Sequence, residues 1–212
     1  MSAEDEKRLA AEAAASLVED GMLVGLGTGS TVAWFLPALA RRGLRLRCVA
    51  TSLQTENSAR ELGLAVEPFD ELERLDIAVD GADQIAPDGW VVKGGGAAHT
   101  REKVVAAAAD RFVVIASSDK LVEAIGPPIP LEILLYGARA TLARCAPAEL
   151  RDVAPSPDGG LIADHLGPVD DPRELAERLS AVPGVVEHGL FAPELVSEVI
   201  VGRDGAVERL GG

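Results

Sequence analysis

Short apolar runs in this chain end, one after another, in loops of glycine, aspartate and serine, and helix-forming stretches lie between them. Residues 22–26 run into Gly27-Thr-Gly-Ser-Thr31, residues 76–79 into Asp80-Gly-Ala-Asp83, and residues 111–116 into Ser117-Ser-Asp-Lys120. Runs this short and this apolar predict strands covered on both faces. Strands alternating with helices predict a parallel sheet, and polar residues after each strand fall at the carboxyl edge, where such sheets bind ligands.

The helices are read from periodicity and caps. Leu9, Ala13, Leu17 and Val18 predict an amphipathic helix over 3–20, with Ser2 as its cap, Glu4, Asp5 and Glu6 at its positive end and Gly21 as its stop. Further helices are predicted over 32–39, where Pro37 should introduce a kink, over 52–62 and over 98–110, with a short strand at 64–67. The pattern changes at Gly126-Pro-Pro-Ile-Pro130. Beyond it the elements shorten: strands near 131–135, 150–153, 161–164 and 185–187, helices near 138–145 and 171–181, and a turn at 155–160. Residues 195–202 and 206–210 predict a hairpin around Arg203-Asp-Gly205 that returns to the first domain. The fold expected is α/β: a parallel-sheet, Rossmann-like domain of residues 1–126 with 195–212, and a second, smaller α+β domain of residues 127–194.

Charge narrows the partners. A formal net charge of -14 argues against nucleic acid and against anionic membrane surfaces, because phosphates need a basic face. A small anionic substrate remains open, since local cations overcome a distant field screened beyond about 8 Å. The first residues are acidic, unlike a signal peptide, and no apolar run is long enough to span a bilayer. With Cys48 and Cys145 as the only cysteines, in no motif spacing, a reduced cytoplasmic protein is expected. His99, His165 and His188 have no metal-ligand spacing.

Two loops carry the chemistry. The turn at 27–31 lacks the lysine of a P-loop, and Ser30 stands where a dinucleotide fingerprint needs its third glycine. Thr28, Ser30 and Thr31 instead add hydroxyl donors to the free N–H groups of a helix start, which suits a compact phosphomonoester; the alternative is an ordinary cap by Ser30 or Thr31. The second loop, Lys93-Gly-Gly-Gly96, removes three side chains in succession, at a cost in conformational entropy that close approach of backbone N–H groups to an anion would justify. Lys93 stands on one side of it and Glu102 on the other, with Asp80 and Asp83 just upstream. A carboxylate in the first turn of a helix stays ionised and serves as a base near neutral pH.

As a set, Gly27-Thr-Gly-Ser-Thr31, Asp80-Gly-Ala-Asp83, Lys93-Gly-Gly-Gly96, Thr100-Arg-Glu-Lys103, Ala116-Ser-Ser-Asp-Lys120, Pro130-Leu-Glu132 and Pro183-Gly-Val-Val186 with Gly189-Leu-Phe191 resemble ribose-5-phosphate isomerase, type A. The resemblance covers most of the chain in order. It implies interconversion of ribose 5-phosphate and ribulose 5-phosphate with no metal and no cofactor, by a homodimer or a dimer of dimers. It implies Glu102 as the base, Asp80 and Asp83 for ring opening and hydroxyl contacts, and Lys93 for the developing oxyanion. Thr28, Gly29, Ser30, Thr31, Gly81, Ala82, Gly94, Gly95 and Gly96 would line the substrate, with Lys7 and Lys120 as further contacts. Gln84 stands where the family usually has glutamate, and Asp158-Gly-Gly160 lacks its usual asparagine. Two other functions share features with this pattern. Sugar-phosphate-sensing domains of transcriptional repressors bind without turnover, but they carry a helix-turn-helix where this chain has one acidic helix. Acyl-coenzyme A transferases use a glutamate near glycines, but they run longer and need a nucleotide pocket.

Lysine is scarce here: Lys7, Lys93, Lys103 and Lys120 against sixteen arginines. An ammonium is a compact point charge whose pKa can shift, whereas a guanidinium is a wide planar fork that stays protonated. A developing enediolate oxygen beside a tight glycine loop suits the former. Lys93→Arg should therefore lose most of its turnover of ribose 5-phosphate, and Lys103→Arg little. Turnover of each purified variant, set beside its melting curve, decides it: an arginine at position 93 that works like lysine would make the cation generic.

Overall fold

The computed structural model describes residues 2–211. In chain order the elements are α1 (Ala3–Ala15), β1 (Leu23–Leu26), α2 (Val32–Ala40), β2 (Arg47–Ala50), α3 (Leu53–Glu61), β3 (Ile77–Asp80), β4 (Gln84–Ile85), β5 (Val91–Val92), α4 (His99–Ala108) and β6 (Phe112–Ser117). They continue with β7 (Ile129–Ile133), α5 (Ala138–Arg144), β8 (Ala148–Leu150), β9 (Leu161–His165), α6 (Pro172–Ser180), β10 (Val185–His188), β11 (Leu190–Phe191), β12 (Glu198–Arg203) and β13 (Ala206–Gly211). The chain divides into two compact units: residues 1–82, 101–121 and 194–212, and residues 83–100 with 122–193.

The first unit is built on a six-stranded sheet in the order β13-β12-β6-β3-β1-β2. The five strands from β12 to β2 run parallel, and β13 returns antiparallel to β12, as the hairpin reading expects. From β1 the chain winds outward to β2 and then crosses to β3 on the other side. The switch point of the sheet thus lies between β1 and β3, and in open α/β sheets ligands bind outside the strand ends there. Two features of the sequence allow the close packing. A Cβ at Gly25 would lie 2.5 Å from Val105 Cγ1, so glycine in β1 lets α4 settle on the sheet. Along α1, Ala10, Ala11, Ala14 and Ala15 are buried with Val113, Ile115 and Ile200, and small residues keep that helix near β6 and β12.

Local details differ from the sequence reading for identifiable reasons. The first helix keeps its Ser2 cap, in a capping box with Asp5, but ends at Ala15 rather than near residue 20. There the Ser16 hydroxyl bonds back to Ala13 O, and Leu17 and Val18 donate to carbonyls three residues back. The chain tightens into turns while Val18 stays in the core. α2 is continuous from Val32 to Ala40 with Pro37 inside it, its buried face of Val32, Phe35, Leu36 and Leu39 anchored in the core. The strand expected at 64–67 reduces to one parallel bridge, Val66 with Cys48.

The second unit carries a four-stranded sheet, β10-β7-β9-β8, and a three-stranded one, β11-β5-β4, all antiparallel. Its core gathers Ile129, Leu131, Ile133, Ala163, Leu175 and Leu179 with Trp90, Val92 and Leu190. α6 is fixed by Asp171, whose side chain accepts from the N–H groups of Arg173 and Glu174, ahead of Pro172. Gln84 has a bracing role: its Nε2 donates to Gly126 O at 2.7 Å and its Oε1 accepts from Gly126 N–H at 2.9 Å. A carboxylate could not donate the first of these bonds, which accounts for an amide at this position.

One backbone contact sets how closely α1 can lie on the sheet. A Cβ at Gly202 would stand 2.0 Å from Glu6 O, a carbonyl that cannot swing away without unwinding α1. Gly202→Ala should lower stability by about 1–3 kcal/mol, the usual cost of overpacking. Thermal melting checks this, and an unchanged midpoint would show that the contact is loose.

Candidate active site

At the switch point Gly27 N–H donates to Val79 O at 2.9 Å, carrying the β1–β3 ladder one step beyond the strands. This brings the turn against Asp80, which is 2% exposed. Asp80 Oδ1 accepts from Thr28 N–H at 3.0 Å and from Gly81 N–H at 2.7 Å. A Cβ at Gly27 would fall 2.1 Å from that oxygen, so no other residue admits the carboxylate. Thr28 is also held through its side chain: its Oγ1 lies 2.5 Å from Ser52 Oγ and 2.6 Å from Thr55 Oγ1, and Thr55 Oγ1 donates to Gly27 O at 2.9 Å. The Thr28 hydroxyl therefore belongs to a cluster at the start of α3.

Gly29 adopts φ +115°, a left-handed backbone that favours glycine. Ser30 beyond it is exposed, while Thr31 is buried. Thr31 occupies the N-cap position of α2 but makes no side-chain cap bond. Thr28, Gly29 and Ser30 form one wall of a cleft of about 420 Å³, with α2 and α3 as the others.

The cations expected as substrate contacts are braced by carboxylates. Lys7 Nζ bonds Glu4 Oε1 at 2.7 Å, and Glu4 Oε2 accepts from Trp34 Nε1 of α2 at 2.9 Å. The Lys7 and Trp34 bonds hold the Glu4 carboxyl below its ordinary range. Glu6, buried on the same helix, accepts from the Ser118 hydroxyl at 2.7 Å and Ser118 N–H at 2.9 Å, which lowers its pKa. It thereby ties α1 to the single turn Ser118–Lys120, where Lys120 Nζ stands 3.6 Å from Asp119 Oδ2. Glu102, as expected, lies in the first turn of α4 and is 4% exposed.

The second unit holds the remaining expected residues, Asp83, Lys93, Gly94, Gly95 and Gly96. Asp83 N–H donates to Val92 O at 2.8 Å, and its Oδ2 accepts from Gly95 N–H at 2.7 Å. Gly94 has φ +106°, and a Cβ there would lie 2.7 Å from His99 Nδ1 and 2.8 Å from Pro130 Cβ. A Cβ at Gly95 would lie 2.7 Å from Asp83 Oδ1. Conformation demands the first glycine and close approach the second; Gly96 beside them is exposed. Lys93 is 3% exposed, its N–H donates to Gly189 O at 2.9 Å, and its Nζ sits 5.6 Å from the centre of the Phe191 ring. An aromatic face is a favourable neighbour for a cation taken out of water.

Several residues that hold these elements were given no such role by the sequence alone. Glu132, buried in β7, accepts from the hydroxyls of Thr100 and Ser156. Arg151 reaches the glycine loop, and Thr55 and Glu6 act as above. For Glu132 the visible signals were a carboxylate inside the otherwise apolar run 129–133 and its place in the motif Pro130-Leu-Glu132. Among the described residues, no cluster of His, Cys, Asp and Glu could hold a metal ion.

Comparison with known proteins agrees with this geometry. The family model of ribose 5-phosphate isomerase A (phosphoriboisomerase A) matches residues 47–205. Ribose-5-phosphate isomerase A of Caulobacter vibrioides is 48% identical, with 99% of each chain covered. The solved ribose 5-phosphate isomerase A of Methanocaldococcus jannaschii superposes with a TM-score of 0.93 at 35% identity, covering both chains fully. A solved D-ribose-5-phosphate isomerase in complex with phospho-erythronic acid gives 0.93 at 34% identity, again covering both chains fully. Fold and relatives together define an α/β isomerase. More narrowly, the chain belongs to the ribose-5-phosphate isomerase A family.

The bare hydroxyl of Thr31 separates its two expected roles. Thr31→Ala should leave the melting temperature almost unchanged, because no cap bond is lost. Ser52→Ala, which removes a real cap on Thr55 N–H, should cost about 1 kcal/mol. Parallel thermal melts test this, and equal losses would restore Thr31 as a cap.

Proposed function

We propose that this chain interconverts D-ribose 5-phosphate and D-ribulose 5-phosphate by proton transfer through an enediolate, in the non-oxidative pentose phosphate route. The observation that carries the reading is kinship over nearly the whole chain at 48% identity to a ribose-5-phosphate isomerase A. The relative solved with phospho-erythronic acid supports it further. The carboxylate of that acid has the planar pair of oxygens that an enediolate presents.

The residues take these roles. The substrate arrives mostly as a closed ring, and Asp80 or Asp83 moves the ring-opening proton between the ring oxygen and the anomeric hydroxyl. Glu102 then removes the proton from C2 of the open aldose. Lys93 stabilises the negative charge that builds on O1. The proton returns to C1 from Glu102 while the O2 proton passes to O1, leaving the ketose. Glu102 ends as it began, so atoms and charge balance. Ser30 and Thr31, the N–H groups at the start of α2, Lys7 and Lys120 bind the phosphate. Thr28, Gly29, Gly81, Ala82 and Gly94, Gly95 and Gly96 line the sugar. No metal and no cofactor enters this scheme.

We also propose a homodimer, or a pair of dimers, in the cytoplasm. The exposed apolar run Leu134, Leu135 and Tyr136 supports self-association. Buried free Cys48 and Cys145 support a reducing compartment; burial pushes the Cys48 thiol up to about 12. No helix among the described residues is long and apolar enough to cross a membrane.

The test is ketose formation from ribose 5-phosphate with a chelator present. Glu102→Gln should keep a folded protein and substrate affinity but lower turnover by about 10²–10⁴ or more, the worth of a positioned base. A variant retaining a tenth of the rate would remove Glu102 from that role, and activity that returns only with an added divalent ion would overturn the metal-free scheme.

A further inference from the structure

The glycine loop after Lys93 is gripped from behind by one side chain. Arg151, just past the end of β8, donates from Nη1 to Gly94 O at 2.8 Å and to Gly95 O at 3.3 Å. Two more of its donors are committed elsewhere: Nε bonds Asp164 Oδ2 at 2.7 Å and Nη2 bonds Asp164 Oδ1 at 2.6 Å. This is a two-pronged arginine–carboxylate pair, with the side chains of Arg151 and Asp164 only 17% and 19% exposed. Asp164 in turn sits in the middle of the second unit's larger sheet, where β9 pairs with both β7 and β8. The loop is therefore braced, through a planar fork of fixed shape, against a paired strand.

The direction of the grip matters more than its strength. In a trans peptide the carbonyl and the N–H point opposite ways. With Gly94 O turned to Arg151, Gly95 N–H must point away from it, and there it meets Asp83 Oδ2 at 2.7 Å. With Gly95 O turned the same way, the N–H of Gly96 also faces away from Arg151. Three glycines in a row would otherwise sample many such orientations. The first pinned carbonyl belongs to the residue bonded to Lys93, whose own N–H is fixed by Gly189 O. The backbone on both sides of the lysine is thus held.

We propose that Arg151, oriented by Asp164, is a positioning residue of the isomerase: it sets the peptide orientations of Gly94 and Gly95, and through them the placing of Lys93 and Asp83. This rests on the functional reading above. It follows that Arg151 governs the chemical step rather than phosphate affinity, since the residues proposed for the phosphate, Ser30, Thr31, Lys7 and Lys120, lie in other segments.

The experiment uses the full chain with Arg151→Lys, Arg151→Ala and Asp164→Asn. Lysine keeps the charge but cannot grip two carbonyls and both oxygens of Asp164. Expected for Arg151→Lys and Arg151→Ala is a fall in kcat of about 10- to 100-fold, the scale of a small misplacement at a reacting centre, with KM for ribose 5-phosphate within about threefold. Asp164→Asn should give a smaller loss in the same sense. Guanidinium ion at tens of millimolar should return part of the kcat of Arg151→Ala without raising its melting temperature. Amide hydrogen exchange at Gly95 and Gly96 should quicken in both arginine variants while exchange along β7 stays as in the parent. The proposal is overturned if kcat stays within twofold of the parent, if the loss merely tracks the unfolded fraction, or if exchange in the loop is unchanged. A parent chain with no turnover of ribose 5-phosphate would overturn the functional reading instead, and the exchange measurement would then decide by itself whether Arg151 holds the loop.

Discussion

Asp80 sits at the end of a buried strand and is almost wholly shielded from water, yet a carboxylate taken out of water is costly unless donors replace the lost hydration. Here the donors are backbone N–H groups of Thr28 and Gly81, which exist in that place only because β1 and β3 are neighbours at the switch of the sheet. The need propagates outward. Position 27 has to be glycine to let the carboxylate in, Gly25 has to be glycine to let α4 onto the same strand, and the turn that follows opens directly into α2. The order of strands, Gly25 in β1, Gly27 just beyond it and the course of the turn that follows all answer to one buried carboxylate.

The second unit solves the same problem around a different loop. Asp83 accepts from Gly95 as Asp80 accepts from Thr28, so each aspartate of Asp80-Gly-Ala-Asp83 anchors one of the two glycine turns. Charge-assisted bonds to backbone N–H groups are short and directional, and they fix a turn more firmly than contacts among small side chains could. Lys93, buried beside such a loop, has the face of Phe191 near its ammonium, and the Gly189-Leu-Phe191 segment gains a physical reason to be glycine first and aromatic last. A Cβ at 189 would stand 2.2 Å from Lys93 O, and the ring at 191 lies by the ammonium.

What the sequence made legible was whatever is contiguous. The strand ends, the turns after them and the helix beginning near Glu102 each lie within a few residues, so hydrophobic runs and glycines were enough to find them, while contacts such as Lys7 and Lys120 were named only through the family resemblance. What it hid depends on register. Arg151 meets Asp164 because Leu150 pairs with Ala163 and Glu149 with Asp164, which makes the two diagonal neighbours across an antiparallel pair. No spacing along the chain announces that. The same holds for Glu132 with Thr100 and for Thr55 with Thr28, whose sequence separations are 32 and 27. Thr28 shows the consequence: its hydroxyl, read as a donor to phosphate, bonds with Ser52 and Thr55 at the start of α3, whereas Ser30 and Thr31 show no such partner among the described residues.

Hydrogen-bond capacity also constrains how the two aspartates can work. A carboxylate has about four lone-pair sites. Asp80 commits Oδ1 to two N–H groups, and Asp83 commits Oδ2 to one. Bonds from N–H fix which oxygen faces the backbone. Each side chain is thereby held in a fixed direction, without the free rotation a solvated aspartate would have. The ring opening proposed for these residues would use that constraint, since a proton must leave one oxygen of the sugar and arrive at another that is only a bond or two away. An aspartate anchored by its own backbone turn serves that step better than a mobile one, which is reason enough for the two glycine turns and the two aspartates to occur together.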